Sequence, residues 1–240
     1  MKLHWRFAPG LQDVLCEALA QAFQPAERLR LAPGARPREA VGRAYGLLPR
    51  SPALPFEVFV KVFGSDSFWG LLHSGRRGAV REFAHAIRLH ELGLPVPRPL
   101  ALVREGTASG AWRTYLWMEH VAGARPLAEL LEPGAAHPQD LPALAEVVAR
   151  LLVDLAARGV WHRDMRPENI LITERPGRPP AATLVDLRHA DLCSPRDGGI
   201  LGQMLAAFGA FCILDGVKPQ WVRSVMQALL RVAGALRDPA

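Results

Sequence analysis

The run His162-Arg163-Asp164-Met165-Arg166-Pro167-Glu168-Asn169 places a carboxylate and an amide with four residues between them in a proline-containing loop. A carboxylate held at Asp164 can accept the proton of an attacking hydroxyl or orient that hydroxyl. Asn169 can offer a neutral oxygen to Mg²⁺, and the intervening backbone sets the distance between the two groups. A second carboxylate follows at Asp186, within Leu184-Val185-Asp186-Leu187-Arg188. Upstream, Lys61 lies in the alternating run Phe59-Val60-Lys61-Val62-Phe63. An ammonium on an apolar strand face is costly unless an anion meets it. Glu82 is the expected partner, with Glu91 farther along the same helix as the alternative. A proton acceptor, two oxygen donors for a hard cation and a cation for an anionic ligand are the inventory that phosphoryl transfer needs. The ordinary alternatives are an aspartate capping a strand end and a lysine snorkelling from a sheet edge.

These groups need elements to hold them. Leu11 to Phe23 has helical spacing and stops before Pro25. A Pro-, Gly- and Arg-rich stretch from Pro25 to Pro55 contains a short strand over Arg43 to Leu48. Phe56 to Phe63 alternates with period two and reads as a strand. A helix is predicted from Ala79 to Leu92, with an apolar stripe of Val80, Phe83, Ile87 and Leu94 and with Gly93 as its C′ residue. Pro95, Pro97 and Pro99 enforce an extended connection, and Trp112 to Met118 reads as a strand. Leu141, Leu144, Val148, Leu151 and Leu155 form one face of a long helix that Gly159 ends. Strands at Ile170–Thr173 and Thr183–Leu187 flank a turn containing Gly177, and two helices follow Pro195. The pattern runs from a strand-containing half, residues 1–118, to a helical half, residues 119–240, with a hinge near Glu119 to Gly123.

With 240 residues, half of them hydrophobic, the chain can bury one core or two small lobes. Its net charge of +6 suits an anionic partner. Arg28, Arg30, Arg36, Arg38 and Arg43 are interleaved with Pro and Gly rather than with aromatic residues, so no nucleic-acid partner is expected. The 3 cysteines give neither a disulfide framework nor a zinc spacing, which favours a reducing compartment. Met1 to Gly10 lacks the apolar core of a secretory signal. The uncharged Gly198–Leu214 is short for a membrane span and is expected to form a buried helix.

The loop at residues 162–169, Asp186, Lys61 and Glu82 together resemble the protein-kinase-like superfamily. A narrower likeness also appears. Leu184-Val185-Asp186-Leu187-Arg188-His189-Ala190 is similar to the Ile-Asp-Leu-His-Arg-Ala segment of bacterial lipopolysaccharide core kinases, which phosphorylate heptose or Kdo (3-deoxy-octulosonic acid). Arg81-Glu82 and Gly93-Leu94-Pro95-Val96-Pro97 extend the likeness, which covers Phe56 to Phe211. It implies an α+β, two-lobed protein-kinase-like fold, with a small β-rich N-lobe and a mostly helical C-lobe. It implies catalytic roles for Asp164, Asn169, Lys61 and Glu82. Lys61, Glu119 and Asp186 would contact ATP, and Asn169 and Asp186 would hold Mg²⁺. The acceptor would be an anionic sugar or glycolipid, and the protein cytoplasmic, with peripheral contact at the inner membrane.

The chain also departs from these patterns. Leu187-Arg188 stands where kinases have Phe-Gly, and Gly-x-Gly-x-x-Gly is absent, with only Gly42 and Gly46 near its place. Arg166-Pro167-Glu168 is more like a protein-kinase loop. No Ala-Pro-Glu follows Asp186, and Asp191 to Ile200 is short for an activation loop. The competing expectations are a small-molecule or protein kinase of the same fold, or a pseudokinase that only binds. Small-molecule phosphotransferases commonly carry Gly in place of Arg163, so Arg163 disfavours that alternative.

Overall fold

The computed structural model describes residues 2–23, 43–63, 75–106, 112–132, 141–193 and 199–237. The chain divides into two compact units, Met1–Glu91 with Pro97–His120, and Leu92–Val96 with Val121–Ala240.

The first unit is built on a five-stranded antiparallel sheet in the order β1-β4-β5-β3-β2. Its strands are β1 (Lys2–Phe7), β2 (Arg43–Leu48), β3 (Val58–Phe63), β4 (Pro99–Gly106) and β5 (Trp112–Glu119). Two helices, α1 (Asp13–Gln21) and α2 (Gly75–Glu91), belong to the same unit. Because β-strand side chains alternate, each strand feeds two cores. Val58, Val60 and Val62 join Tyr115, Trp117 and the α1 residues Ala18 and Leu19. Phe63, Leu116 and Met118 join the α2 residues Ala79 and Phe83 on the opposite face. Each fully buried Val or Phe contributes about 1.5–3 kcal/mol, so the two-sided burial makes β3 and β5 the best-supported strands.

Two strands of this sheet were not foreseen. In β1, Leu3, Trp5 and Phe7 alternate with Lys2, His4 and Arg6, and the apolar set packs on the α1-side core. Trp5 meets Trp117 edge-on at 5.4 Å. In β4, Leu100 to Val103 is a continuous apolar run because both faces of the strand are covered. A register shift between Pro99 and Ala101 puts Leu100 and Ala101 in the same core.

Helix α2 begins at Gly75 rather than Ala79. Its fully buried residues are Ala79, Glu82, Phe83, Ala86 and Leu89. Val80 and Ile87 are half-buried at the edge of that stripe. Leu94 lies past the helix end and belongs to the other unit. Gly93 has φ +69°, the left-handed conformation that ends a helix without Cβ strain.

The second unit is mostly helical: α3 (Leu127–Leu130), α4 (Leu141–Ala157), α5 (Ile200–Leu214) and α6 (Pro219–Arg237). Leu144, Val148, Leu151 and Leu155 of α4 are buried as the periodicity predicts. Leu141, placed on the same face, is only half-buried. Two small sheets complete the unit. One pairs β7 (Val160–His162) with β10 (Ala190–Leu192), and the other runs β6 (Ala124–Pro126), β8 (Ile170–Arg175), β9 (Arg178–Leu184). The second hairpin strand was expected at Thr183–Leu187, but the turn at Gly177 pairs Ile170 with Leu184, and the ladder ends there. Asp186 therefore lies beyond the strand, and Leu187–His189 form a 3-10 turn. In α5, Ile200, Met204, Phe208 and Cys212 are buried, as expected of a core helix. Among the described residues no helix is long and apolar enough to cross a membrane.

Candidate active site

In the first unit β3 points Lys61 toward α2. Lys61 Nζ donates to Glu82 Oε1 and Oε2, each at 2.9 Å. Only 3% of Lys61 and none of Glu82 is exposed. A buried ion pair with two short hydrogen bonds satisfies charges that would be severely destabilising alone. Glu91, the alternative partner, instead lies 3.6 Å from Arg88 on the exposed side of the helix. The Lys61 ammonium also sits 5.3 Å from the Phe63 ring centroid. Glu119 ends β5 opposite Val58, and its backbone N–H donates to Arg98 O at 2.9 Å.

In the second unit the loop after β7 is closed by its own backbone. Arg166 N donates to Asp164 O, and Asn169 N to Arg166 O, both at 2.9 Å. Pro167 opens the short 3-10 turn, where its missing N–H costs nothing. Asn169 Nδ2 donates to Asp164 O at 2.9 Å and to Asp164 Oδ2 at 3.3 Å. That double anchor fixes the amide plane, and the oxygen end, Oδ1, is the donor atom it presents. Val185 N donates to Asn169 O at 2.9 Å, which ties the end of β9 to the loop.

Asp186 has φ 55° and is the one non-glycine residue with positive φ among the described residues. Aspartate tolerates the left-handed region better than most residues, yet the conformation still costs energy. His162 holds it in place: Nε2–H donates to Asp186 O at 3.1 Å. A carbonyl can only accept, so Nε2 carries the proton and Nδ1 is bare, buried and without a hydrogen-bond partner among the described residues. An oxygen-only pair consisting of an anchored amide and a carboxylate on a turn matches the preference of Mg²⁺ for hard ligands. The residues present fit the ion.

Burial pushes the His162 pKa below its ordinary 6.5, outweighing the Asp186 carbonyl and the Asp164 and Asp186 carboxylates, which pull it up. Between the lowered folded value and the unfolded 6.5, the unfolded chain binds more protons, so stability rises with pH. The contribution is complete above about pH 6.5 and is lost as pH falls below it. The urea midpoint of the protein should therefore drop between pH 7 and pH 5. His162→Asn should flatten that slope, and an unchanged slope would contradict this role.

Three arginines surround these groups, and two of them lie two positions from a carboxylate. Arg166 Nε donates to Asp164 Oδ1 at 2.8 Å, and its guanidinium lies 4.5 Å over the Phe211 ring of α5. Arg188 Nε is 3.8 Å from Asp186 Oδ1. Arg163 Nε lies 2.6 Å from Asp191 Oδ2, and its guanidinium lies 4.8 Å over the Trp161 ring. Its backbone N–H donates to His189 O at 3.1 Å.

The profile of the lipopolysaccharide kinase (Kdo/WaaP) family matches residues 67–198, more than half of the chain. The chain belongs to that family. The matched span of this Kdo/WaaP family member holds Glu82, Glu119, Asp164, Asn169 and Asp186, whereas Lys61 precedes it. The 3-deoxy-D-manno-octulosonic acid kinase of Pasteurella multocida (strain Pm70) is 35% identical over 94 residues, which cover 39% of this chain and 38% of the relative. That of Actinobacillus succinogenes (strain ATCC 55618 / DSM 22257 / CCUG 43843 / 130Z) is 33% identical over 93 residues, covering 39% of this chain and 37% of the relative. The chain thus matches less than two fifths of the length of these curated relatives. Among solved structures, WaaP in complex with acyl carrier protein superposes with a TM-score of 0.61 at 22% identity, covering 99% of this chain and 93% of that one. That likeness is one of fold, and with the five-stranded sheet in one unit and most of the helices in the other it gives the α+β, protein-kinase-like architecture expected from the sequence.

The residues in contact with these groups to which the sequence reading gave no role in the site are His162, Arg166, Arg188 and Phe211. An arginine two positions after each aspartate was a readable signal for the second and third. Nothing in the local pattern of α5 singles out Phe211, whose place beside Arg166 comes from packing.

Proposed function

We propose that the protein transfers the terminal phosphoryl group of ATP to a sugar hydroxyl of the lipopolysaccharide inner core, on Kdo or heptose. The observation that carries this reading is the Asp164–Asn169–Asp186 loop assembly in a member of the Kdo/WaaP family. Asp164 takes the proton of the acceptor hydroxyl, the oxygen bonds to phosphorus, and the bond to the ADP oxygen breaks. Arg166 keeps the Asp164 carboxylate oriented. Asn169 Oδ1 and Asp186 are the ligands for Mg²⁺, which neutralises phosphate charge when bound. Lys61, set by Glu82, takes the α- and β-phosphates. Since the Glu119 N–H is committed to Arg98 O, a nucleotide contact at Glu119 falls to its carbonyl oxygen. A net charge of +6 supports an anionic acceptor and peripheral contact with the cytoplasmic face of the inner membrane.

Incubation with labelled ATP, Mg²⁺ and Kdo-bearing lipid precursor should move the label to the sugar. Absence of transfer at every metal concentration, with nucleotide binding intact, would leave the binding-only alternative in its place.

A further inference from the structure

Among the arginines around the carboxylates, Arg188 stands apart. Arg166 makes a short hydrogen bond to its aspartate, and Arg163 pairs closely with Asp191. Arg188 Nε is buried and donates to nothing among the described residues. Its 3.8 Å approach to Asp186 Oδ1 is too long for a hydrogen bond. The guanidinium cannot shed its charge, and its covered Nε–H, left without an acceptor, costs stability. Only 28% of the side chain is exposed, which is enough for a ligand to reach it.

The turn that carries Arg188 is pinned on both sides. Asp186 O accepts from His162, His189 O accepts from the Arg163 N–H, and Leu187 is buried to 1% exposure. The guanidinium is therefore presented from a fixed backbone, next to the carboxylate assigned to the metal, at the position where kinases carry Phe-Gly. A planar fork matches two oxygens of a carboxylate or phosphoryl group better than any other partner.

We propose that Arg188 is an oxyanion-binding residue of this site, taking two oxygens of a carboxylate or a phosphoryl group in bidentate fashion. The inference rests on the phosphotransferase reading for its setting. Two sources supply such a group: the carboxylate of the sugar-acid acceptor and the terminal phosphate of the nucleotide. On either source, Arg188 is a specificity determinant that replaces a residue without charge.

The test is calorimetric binding to the full chain of ATP, pyrophosphate, free Kdo and the methyl ester of Kdo, with Arg188→Gln and Arg188→Lys compared to wild type. A carboxylate source predicts that Arg188→Gln weakens free Kdo by about 10- to 100-fold, leaves the ester and ATP unchanged, and is only partly rescued by Lys. A phosphoryl source predicts the same loss for ATP and pyrophosphate and none for Kdo. In both cases the melting temperature of Arg188→Gln should stay close to that of wild type, because only a 3.8 Å ion pair without a hydrogen bond is lost. Unchanged affinity for all four ligands, or equal weakening of all four together with a lowered melting temperature, would overturn the proposal. These measurements require no turnover. A wild type that binds but phosphorylates no sugar acid would sink the acceptor assignment and still decide the role of Arg188.

Discussion

Asp164→Asn should lower kcat by about 10²- to 10⁴-fold, the usual contribution of a positioned proton acceptor, with the KM for ATP nearly unchanged. Asparagine keeps the shape of the side chain and its one oxygen can still accept the 2.8 Å bond from Arg166; the 3.3 Å bond from Asn169 to Oδ2 is lost, but Asn169 Nδ2 still donates to the Asp164 backbone carbonyl at 2.9 Å. The loop therefore stays closed, and its backbone bonds among Asp164, Arg166 and Asn169 do not involve the substituted atoms. What disappears is the basic oxygen. Asp164→Ala removes the anchor as well and should add a loss in melting temperature that Asp164→Asn does not show. Steady-state kinetics together with nucleotide titration separate the two effects. Full activity in Asp164→Asn would mean that the proton leaves by another route.

Lys61 and Glu82 should behave differently, because here activity and stability can be pulled apart. Lys61→Met leaves the Glu82 carboxylate with 0% exposure and without its ammonium, and Glu82→Leu does the reverse to Lys61 at 3% exposure. Breaking one side of a buried ion pair typically costs about 3–5 kcal/mol. Each single variant should be destabilised by that order in urea unfolding. The double variant Lys61→Met/Glu82→Leu should recover most of the loss, since apolar groups of similar size suit a buried site beside the Phe63 ring. Catalysis should not recover: losing one preorganised charge on the phosphates costs about 10²- to 10³-fold. A double variant as active as wild type would remove Lys61 from the phosphate site. One as unstable as the singles would show that the pair is worth more than packing.

The sequence-based reading found elements where the two faces of a segment differ in residue type. Val58 to Phe63 alternates visibly because α1 and α2 cover opposite faces of β3 with chemically different residues, three valines on one side and a lysine between phenylalanines on the other. The α4 helix was legible for a similar reason, with Leu144, Val148, Leu151 and Leu155 repeating at helical spacing. In β4, by contrast, both faces are buried, so Leu100 to Val103 shows no period that could separate strand from helix. The β1 alternation was present in Leu3, Trp5 and Phe7 and is closed by Pro9-Gly10, but its partner, β4, lies nearly a hundred residues on, from Lys2 opposite Gly106 to Phe7 opposite Ala101. The hairpin boundary failed by a few residues because the turn at Gly177, rather than the apolarity of Val185 and Leu187, sets where pairing ends.

Residue type and spacing were sufficient to propose the reacting groups, since a hydroxyl proton, a hard cation and a buried ammonium each demand particular atoms that few side chains supply. Those demands are local chemistry and can be read along the chain. Tertiary structure alone decided which carboxylate meets Lys61, that Asp186 sits in a left-handed turn held by His162, and that Arg166 rests on Phe211 while Arg188 is left with donors to spare. Such outcomes depend on which faces pack against one another across long sequence separations. No one-dimensional period encodes a distance of 2.9 Å between residues 61 and 82.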